Sequence, residues 1–409
     1  MKTDKNYKNE YQIFESFENE FLKPLVYLDS ASSSLTPRVV VDAMSNYYNT
    51  YRSNIDRGEF IFAQRALDKY EDSRKLVAEY VGATEEEIFF TSGATDSANK
   101  LFDMWVCLLD IKDGDSVAVS SLEHHAVYVT IYEKCKKLGI RVLEIPLKDD
   151  HSIDTALYQD ILSKKPKLVF IQHANNVTGK VLDIKNLADQ AHGAGSYFIS
   201  DGSQAVGHID VDVKTRGVDS YFWSAHKMCG PTGVGVVYIP KHIISKMKPT
   251  VYGGGIVTKV DSKKIEYIEN IKCFEPGSPN IAGVIGLGEA VEYLQNIGIQ
   301  NIENHSKEIT SILIKKLENI EGVSIITERE VTKNTGIVSF SVEGVHTHDL
   351  TYLLAKSGIA VRSGFHCAEP FVRSISETAV TRISIYIYNT KEDIDILIKE
   401  LKKIIQKFI

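Results

Sequence analysis

Between about residues 60 and 240 the chain alternates stretches of helical period with short apolar runs. "QRALDKYEDSRKLVAEYVG" repeats its apolar positions every three to four residues and stops at Gly82, which predicts an amphipathic helix. "EIFFTSGATDSANKLFDMWVCLL" reads as strand, turn and helix, "DSVAVSSLEHHA" as strand and loop, and "YVTIYEKCKKLG" as helix. "RVLEIPL" and "KLVFIQHANNVTG" are further strands, "IKNLADQAHGAG" a helix and "YFISDGSQAVG" a strand. Short β-branched runs between helices imply βαβ units and an α/β fold with a mostly parallel sheet. Such sheets gather ligands at the carboxyl ends of their strands.

After residue 285 the texture changes. A long helical stretch breaks around Gly298, a strand "GIVSFSV" follows, and "KEDIDILIKELKKIIQKF" predicts a final helix. This is the pattern of a smaller α+β domain. The expected division is an N-terminal arm over 1–24 packed on the small domain, a large domain over 25–288 and a small domain over 289–409. A chain of 409 residues is long enough for two cores.

Composition narrows the partners. The net charge of -7 is spread without single-sign blocks, unlike the basic footprint of a nucleic-acid binder. No apolar run reaches the roughly 18–20 residues of a membrane span. The charged start "MKTDKNYKNEYQIFESFENEF" lacks the apolar segment of a signal peptide, so a cytoplasmic location is expected. The five cysteines (Cys107, Cys135, Cys229, Cys273 and Cys367) are scattered. Neither a disulfide framework nor a zinc site is expected from them.

Three strand ends carry candidate chemistry. The turn "TSGATDSAN" feeds a helix, and its free N–H groups and positive dipole end suit a phosphate; the alternative is a plain helix start capped by Ser92 or Thr95. Asp201 ends the apolar "YFIS", and Lys227 follows the apolar "SYFWSAH". Each is either a surfacing strand end or a charge kept for chemistry. His124 follows "VAVSSLE", as a loop histidine or part of the same site. A phosphate turn, an acid and a lysine at strand ends are what pyridoxal 5'-phosphate requires: an amine to bind it, a carboxylate for its ring nitrogen and a cradle for its phosphate.

The pieces "YLDSAS", "TSGATDSAN", "EHHA", "NNVTG", "SDGSQAVGHIDVDV", "DSYFWSAHKMCGPTGVGVVY", "FEPGSPN", "VRSGFHCAEP" and "RISIYIYNTKEDID" run from residue 27 to 395. In this order they resemble the class V aminotransferase group of fold-type I pyridoxal-phosphate enzymes, and within it the SUF-type cysteine desulfurases and selenocysteine lyases. The resemblance implies a large domain with a mostly parallel, seven-stranded mixed sheet and a smaller C-terminal domain. It implies that Lys227 binds the cofactor covalently, Asp201 pairs with the ring nitrogen, Gln204 reaches the phenolic oxygen and His124 stacks on the ring. Ala94, Thr95, Ser224 and His226 would hold the phosphate. Ser278 would reach the phosphate of a neighbouring subunit, which implies a homodimer. Asn176 and Arg382 would bind the substrate carboxylate, with Arg362 near the active-site loop.

Cys367 selects the reaction. Its polar loop argues against a small buried hydrophobe, and Arg362 and His366 nearby would favour the thiolate, the nucleophilic form. In the resembling family this cysteine takes sulfur from L-cysteine, leaving L-alanine and a persulfide for an acceptor protein, which implies a role in iron–sulfur cluster assembly. L-selenocysteine would fit the same clamp. Two positions depart from the family pattern: Phe365 stands where a second histidine is common, and Asp56 precedes the Arg-Gly of an early loop. They keep open another class V reaction, an aminotransferase, epimerase or C–S lyase without a persulfide.

Overall fold

The computed structural model describes residues 6–55, 58–148, 150–327, 329–376 and 379–408. Asp56 lies outside the described residues.

Seven strands form the main sheet: β1 (Ile88–Thr91), β2 (Ser116–Ser120), β3 (Arg141–Ile145), β4 (Leu168–Phe170), β5 (Tyr197–Asp201), β6 (Ser220–Ser224) and β7 (Gly235–Tyr238). Their order is β1-β7-β6-β5-β4-β2-β3. Only β7 runs against its neighbours; the rest are parallel. Residue alternation feeds two separate cores. Phe89, Val117, Val119, Ile199, Phe222 and Val237 enter one. Ile88, Phe90, Ala118, Phe198, Tyr221 and Val236 enter the other. Burial on both faces explains why these strands, the partly exposed edge strand β3 apart, read as apolar runs and not as half-polar ones.

The apolar helix Ile281–Ile297 lies against helices Arg38–Thr50 and Ile61–Tyr80. It ends at Gly298, whose φ of 87° breaks the helical path. The next helix, Ile299–Glu318, packs instead on Lys391–Ile405. Those helices cover a four-stranded antiparallel sheet of β8 (Val323–Ile325), β9 (Ile337–Val342), β10 (Arg362–Gly364) and β11 (Val380–Ser384), in the order β8-β9-β11-β10. Its core joins Phe340, Ile383, Leu397 and Leu401 with Val26 and Leu28 from the chain's beginning. Val26–Tyr27 pairs in parallel with Ile359–Ala360. Further upstream, Lys8 is ion-paired with Asp393, and the buried Tyr11 meets Tyr388 edge-on at 4.9 Å.

Candidate active site

Because β1, β2, β4, β5 and β6 are parallel, their carboxyl ends share one edge. The segments that follow them line a cavity of about 250 Å³. Ala94, Thr95, His124, Asn176, Asp201, Ser224, His226 and Lys227 come from these strand ends. Arg362, His366, Cys367 and Arg382 come from the four-stranded sheet and its loop. Two of the expected site residues lie elsewhere. Gln204 is buried and donates its Nε2–H to the carbonyl of Ala31, itself a wall residue, at 2.8 Å. Ser278 is exposed and outside the cavity's lining.

The turn after β1 is not a side-chain-capped helix start. Gly93 occupies the cap position of helix Ala94–Leu109, with no side-chain cap hydrogen bond. The Ala94 N–H instead donates to Ser224 Oγ at 2.8 Å, tying this turn to the end of β6. Close packing demands glycine here: a Cβ on Gly235 would lie 2.7 Å from Gly93 Cα and 2.4 Å from Thr91 Oγ1.

His124 has two roles. It caps helix His125–Leu138, its Nδ1 accepting the Ala126 N–H at 3.0 Å. That bond puts the proton of the neutral ring on Nε2. Burial, reinforced by Lys227, pushes the imidazole down to about 3, so the ring is neutral at pH 7. His226, half-buried beside Lys227, is likewise pulled down to about 4 by desolvation and by the Lys227 charge.

Lys227 follows β6, and the His208 Nε2–H donates to its carbonyl at 3.0 Å. Burial pulls the ammonium down to about 8, opposed by Asp201 and Cys367 and assisted by Arg382 and Arg362. Asp201 responds oppositely. Burial raises its carboxyl, while Lys227 and the Ser203 N–H (2.8 Å to Oδ1) favour the ionised form.

Arg382, 2% exposed, donates from Nη1 to the Asn176 carbonyl at 2.8 Å and from Nη2 to Asp29 Oδ1 at 3.2 Å. Of its five N–H groups three remain for a carboxylate. Asp29 also faces Arg362 at 3.9 Å, and Arg362 donates to Ser32 Oγ. Asp29, Ser32 and Ser203 escaped the sequence reading as site residues, although "YLDSAS" and "SDGSQAVG" contained them.

Cys367 is exposed on the short loop between β10 and helix Glu369–Ile375. His366 and Cys367 sit at φ 51° and 55°. Two successive non-glycine residues in this region cost roughly 1–2 kcal/mol each, so their neighbours must hold them. One expectation is corrected here: His366 does not supply positive charge to the thiol. Burial drives its ring down to about 3, and its Nε2–H donates to the Val380 carbonyl at 3.1 Å. The nearby cations are Arg362 and Arg382. Phe365, the departure from the family pattern, lies under the Arg373 guanidinium at 4.6 Å. Cys135, Cys229 and Cys273 are buried, whereas Cys107 is exposed on its helix.

Four buried polar atoms on residues of the cavity wall lack partners, as do others elsewhere among the described residues: Asn176 Oδ1, Ser203 Oγ, His366 Nδ1 and Arg382 Nε. Such atoms are costly unless a ligand or water satisfies them. An acid, a lysine, uncapped helix N–H groups and a buried guanidinium around them fit pyridoxal phosphate and an amino acid. Among the described residues no cluster of His, Cys, Asp and Glu could hold a metal ion, and no helix is long and apolar enough to cross a membrane.

Comparisons with known proteins bear on the family and the fold. Residues 26–397 match the family model for aminotransferase class V. A probable cysteine desulfurase of Halalkalibacterium halodurans is 38% identical over 381 residues, covering 93% of this chain and 93% of that protein. The apo structure of a cysteine desulfurase from Thermococcus onnurineus superposes with a TM-score of 0.93 at 32% identity, covering 100% of this chain and 99% of that one. The cysteine desulfurase CsdA from Escherichia coli, in its S-sulfonic acid form, gives 0.90 at 30% identity, with 98% of each chain covered.

Proposed function

The chain belongs to the class V aminotransferase family, among its cysteine desulfurases, and from that premise we propose that Cys367 is the sulfur acceptor in a pyridoxal-phosphate-dependent conversion of L-cysteine to L-alanine. The observation that carries the proposal is one cavity onto which Lys227, Asp201, His124 and the Cys367 loop all open.

Thr95, Ser224, His226 and the backbone at Ala94 are the groups for the cofactor's phosphate, and Asp201 is the acid for its ring nitrogen. His124 offers the face for stacking and Lys227 the amine that joins it. When bound, the cofactor serves as the electron sink that makes the substrate's C–S bond breakable.

The chain's own residues do the rest. Asn176 and the free N–H groups of Arg382 orient the substrate carboxylate. Lys227 Nζ, pulled down to about 8, can both take and return a proton near neutrality. His124 holds a proton at Nε2. Cys367 Sγ, as the thiolate, attacks the sulfur of the bound cysteine. The substrate's Cβ–Sγ bond breaks and an S–S bond to Cys367 forms. The electron pair left on Cβ takes a proton, so the products are L-alanine and a Cys367 persulfide. A thiol reductant or an acceptor protein then removes that sulfur.

The same clamp accepts L-selenocysteine. Ser278, exposed outside its own cavity, is the residue we assign to a second copy's phosphate, which makes a homodimer part of the proposal. We assign the enzyme to the cytoplasm and its sulfur to iron–sulfur cluster assembly. Incubation with L-cysteine and a thiol reductant should yield alanine and sulfide in equal amounts. Cys367→Ala should keep the yellow cofactor band and lose roughly 100-fold or more in turnover. A variant that desulfurates cysteine at the wild-type rate, or a keto acid formed from a sulfur-free amino acid, would overturn the covalent role.

A further inference from the structure

We propose that His125 is a positioning residue that holds the Cys367 loop through its ring; the role rests on reading Cys367 as the nucleophile. His125 opens helix His125–Leu138, directly after the capping His124. Its main-chain N–H donates to the Cys367 carbonyl at 2.6 Å. Its ring Nε2 accepts the Glu369 N–H at 3.2 Å. One residue therefore grips the loop at the cysteine and again two residues later, where the next helix starts. To accept that bond the ring must carry its proton on Nδ1 and leave Nε2 bare.

The loop needs such a grip. His366 and Cys367 both adopt left-handed backbone conformations that L residues rarely choose. Their other pins are the Asn176 Nδ2–H on the His366 carbonyl at 2.7 Å and the His366 ring on the Val380 carbonyl. Asn176 is tied in turn to Arg382. The His125 ring is the pin on the far side of the cysteine. It also fixes a distance that matters for reaction. The start of one helix sets both the ring of His124, in the cavity wall, and the loop that presents Cys367.

The test compares His125→Ala with His125→Gln in the full-length holoenzyme. Both keep the main-chain bond to Cys367, so only the ring's contribution is removed. Glutamine Oε1 stands as many bonds from the backbone as histidine Nε2 and restores an acceptor for Glu369. His125→Ala should lower kcat about 10- to 100-fold, with KM changed less than about twofold and the cofactor band intact. Amide exchange in the peptide around Glu369 should quicken roughly tenfold or more. His125→Gln should recover both to within about threefold of wild type. Unchanged kcat despite faster exchange, activity lost in step with cofactor, or glutamine no better than alanine would each overturn the proposal. Absence of sulfur on Cys367 of the wild-type enzyme after turnover would instead refute the nucleophile reading, and is seen before any variant is made.

Discussion

The titration of Lys227 tests the electrostatics of the site without relying on turnover. Burial pulls its ammonium from about 10.5 to about 8. At pH 7 roughly one lysine in ten is then neutral, against about three in ten thousand for an ordinary lysine. The gain in reactive amine is about 300-fold. Trace acetylation of the cofactor-free protein at a series of pH values, read by mass spectrometry on the Lys227 peptide, measures this directly. Labelling should rise about tenfold per pH unit up to a midpoint near 8 and then level. Asp201 is the main group holding the ammonium charged. Asp201→Asn should therefore move the midpoint to lower pH, whereas Arg382→Gln, which removes a cation, should move it higher. Labelling that climbs without a break to pH 10 would refute the reasoning. So would an Asp201→Asn midpoint at or above that of the wild type.

Two further variants probe stability and binding. Arg74, 1% exposed, makes a two-pronged pair with Glu275 at 2.8 Å for each prong, and a further bond to Glu71. Arg74→Leu strands the buried Glu275 carboxylate and should cost about 3–5 kcal/mol in urea unfolding, less if Glu275→Leu is added; a loss under about 0.5 kcal/mol would show the pair to be idle. Arg382→Lys cannot serve the Asn176 carbonyl, Asp29 and a carboxylate together, so KM for L-cysteine should rise roughly 10- to 100-fold with a smaller change in kcat. An unchanged KM would place the carboxylate elsewhere.

Much of this site was legible because parallel strands place their chemistry at one end. Asp201 and Lys227 stood out as charges closing apolar runs, and both lie in the cavity wall. The break at Gly298 was legible from a single residue whose backbone ends a helix. Long-range pairing was not. No local signal places β7 between β1 and β6, since β1 lies well over a hundred residues before its partner. Nor does the pattern show that Val26 and Leu28 belong to the small domain's core. Asp29 was missed for a related reason. Its importance comes from two arginines more than 300 residues later, and a lone acid in "YLDSAS" shows nothing of them. The charge state of His366 also had to await the fold, because burial and not its neighbours in sequence decides it.

The most direct test of the whole account is mass spectrometry of the enzyme trapped by alkylation after brief exposure to L-cysteine without reductant. The account requires one extra sulfur on the peptide carrying Cys367, formed together with alanine and absent from Cys107, Cys135, Cys229 and Cys273. Alanine released at the normal rate with Cys367 carrying no extra sulfur would contradict it.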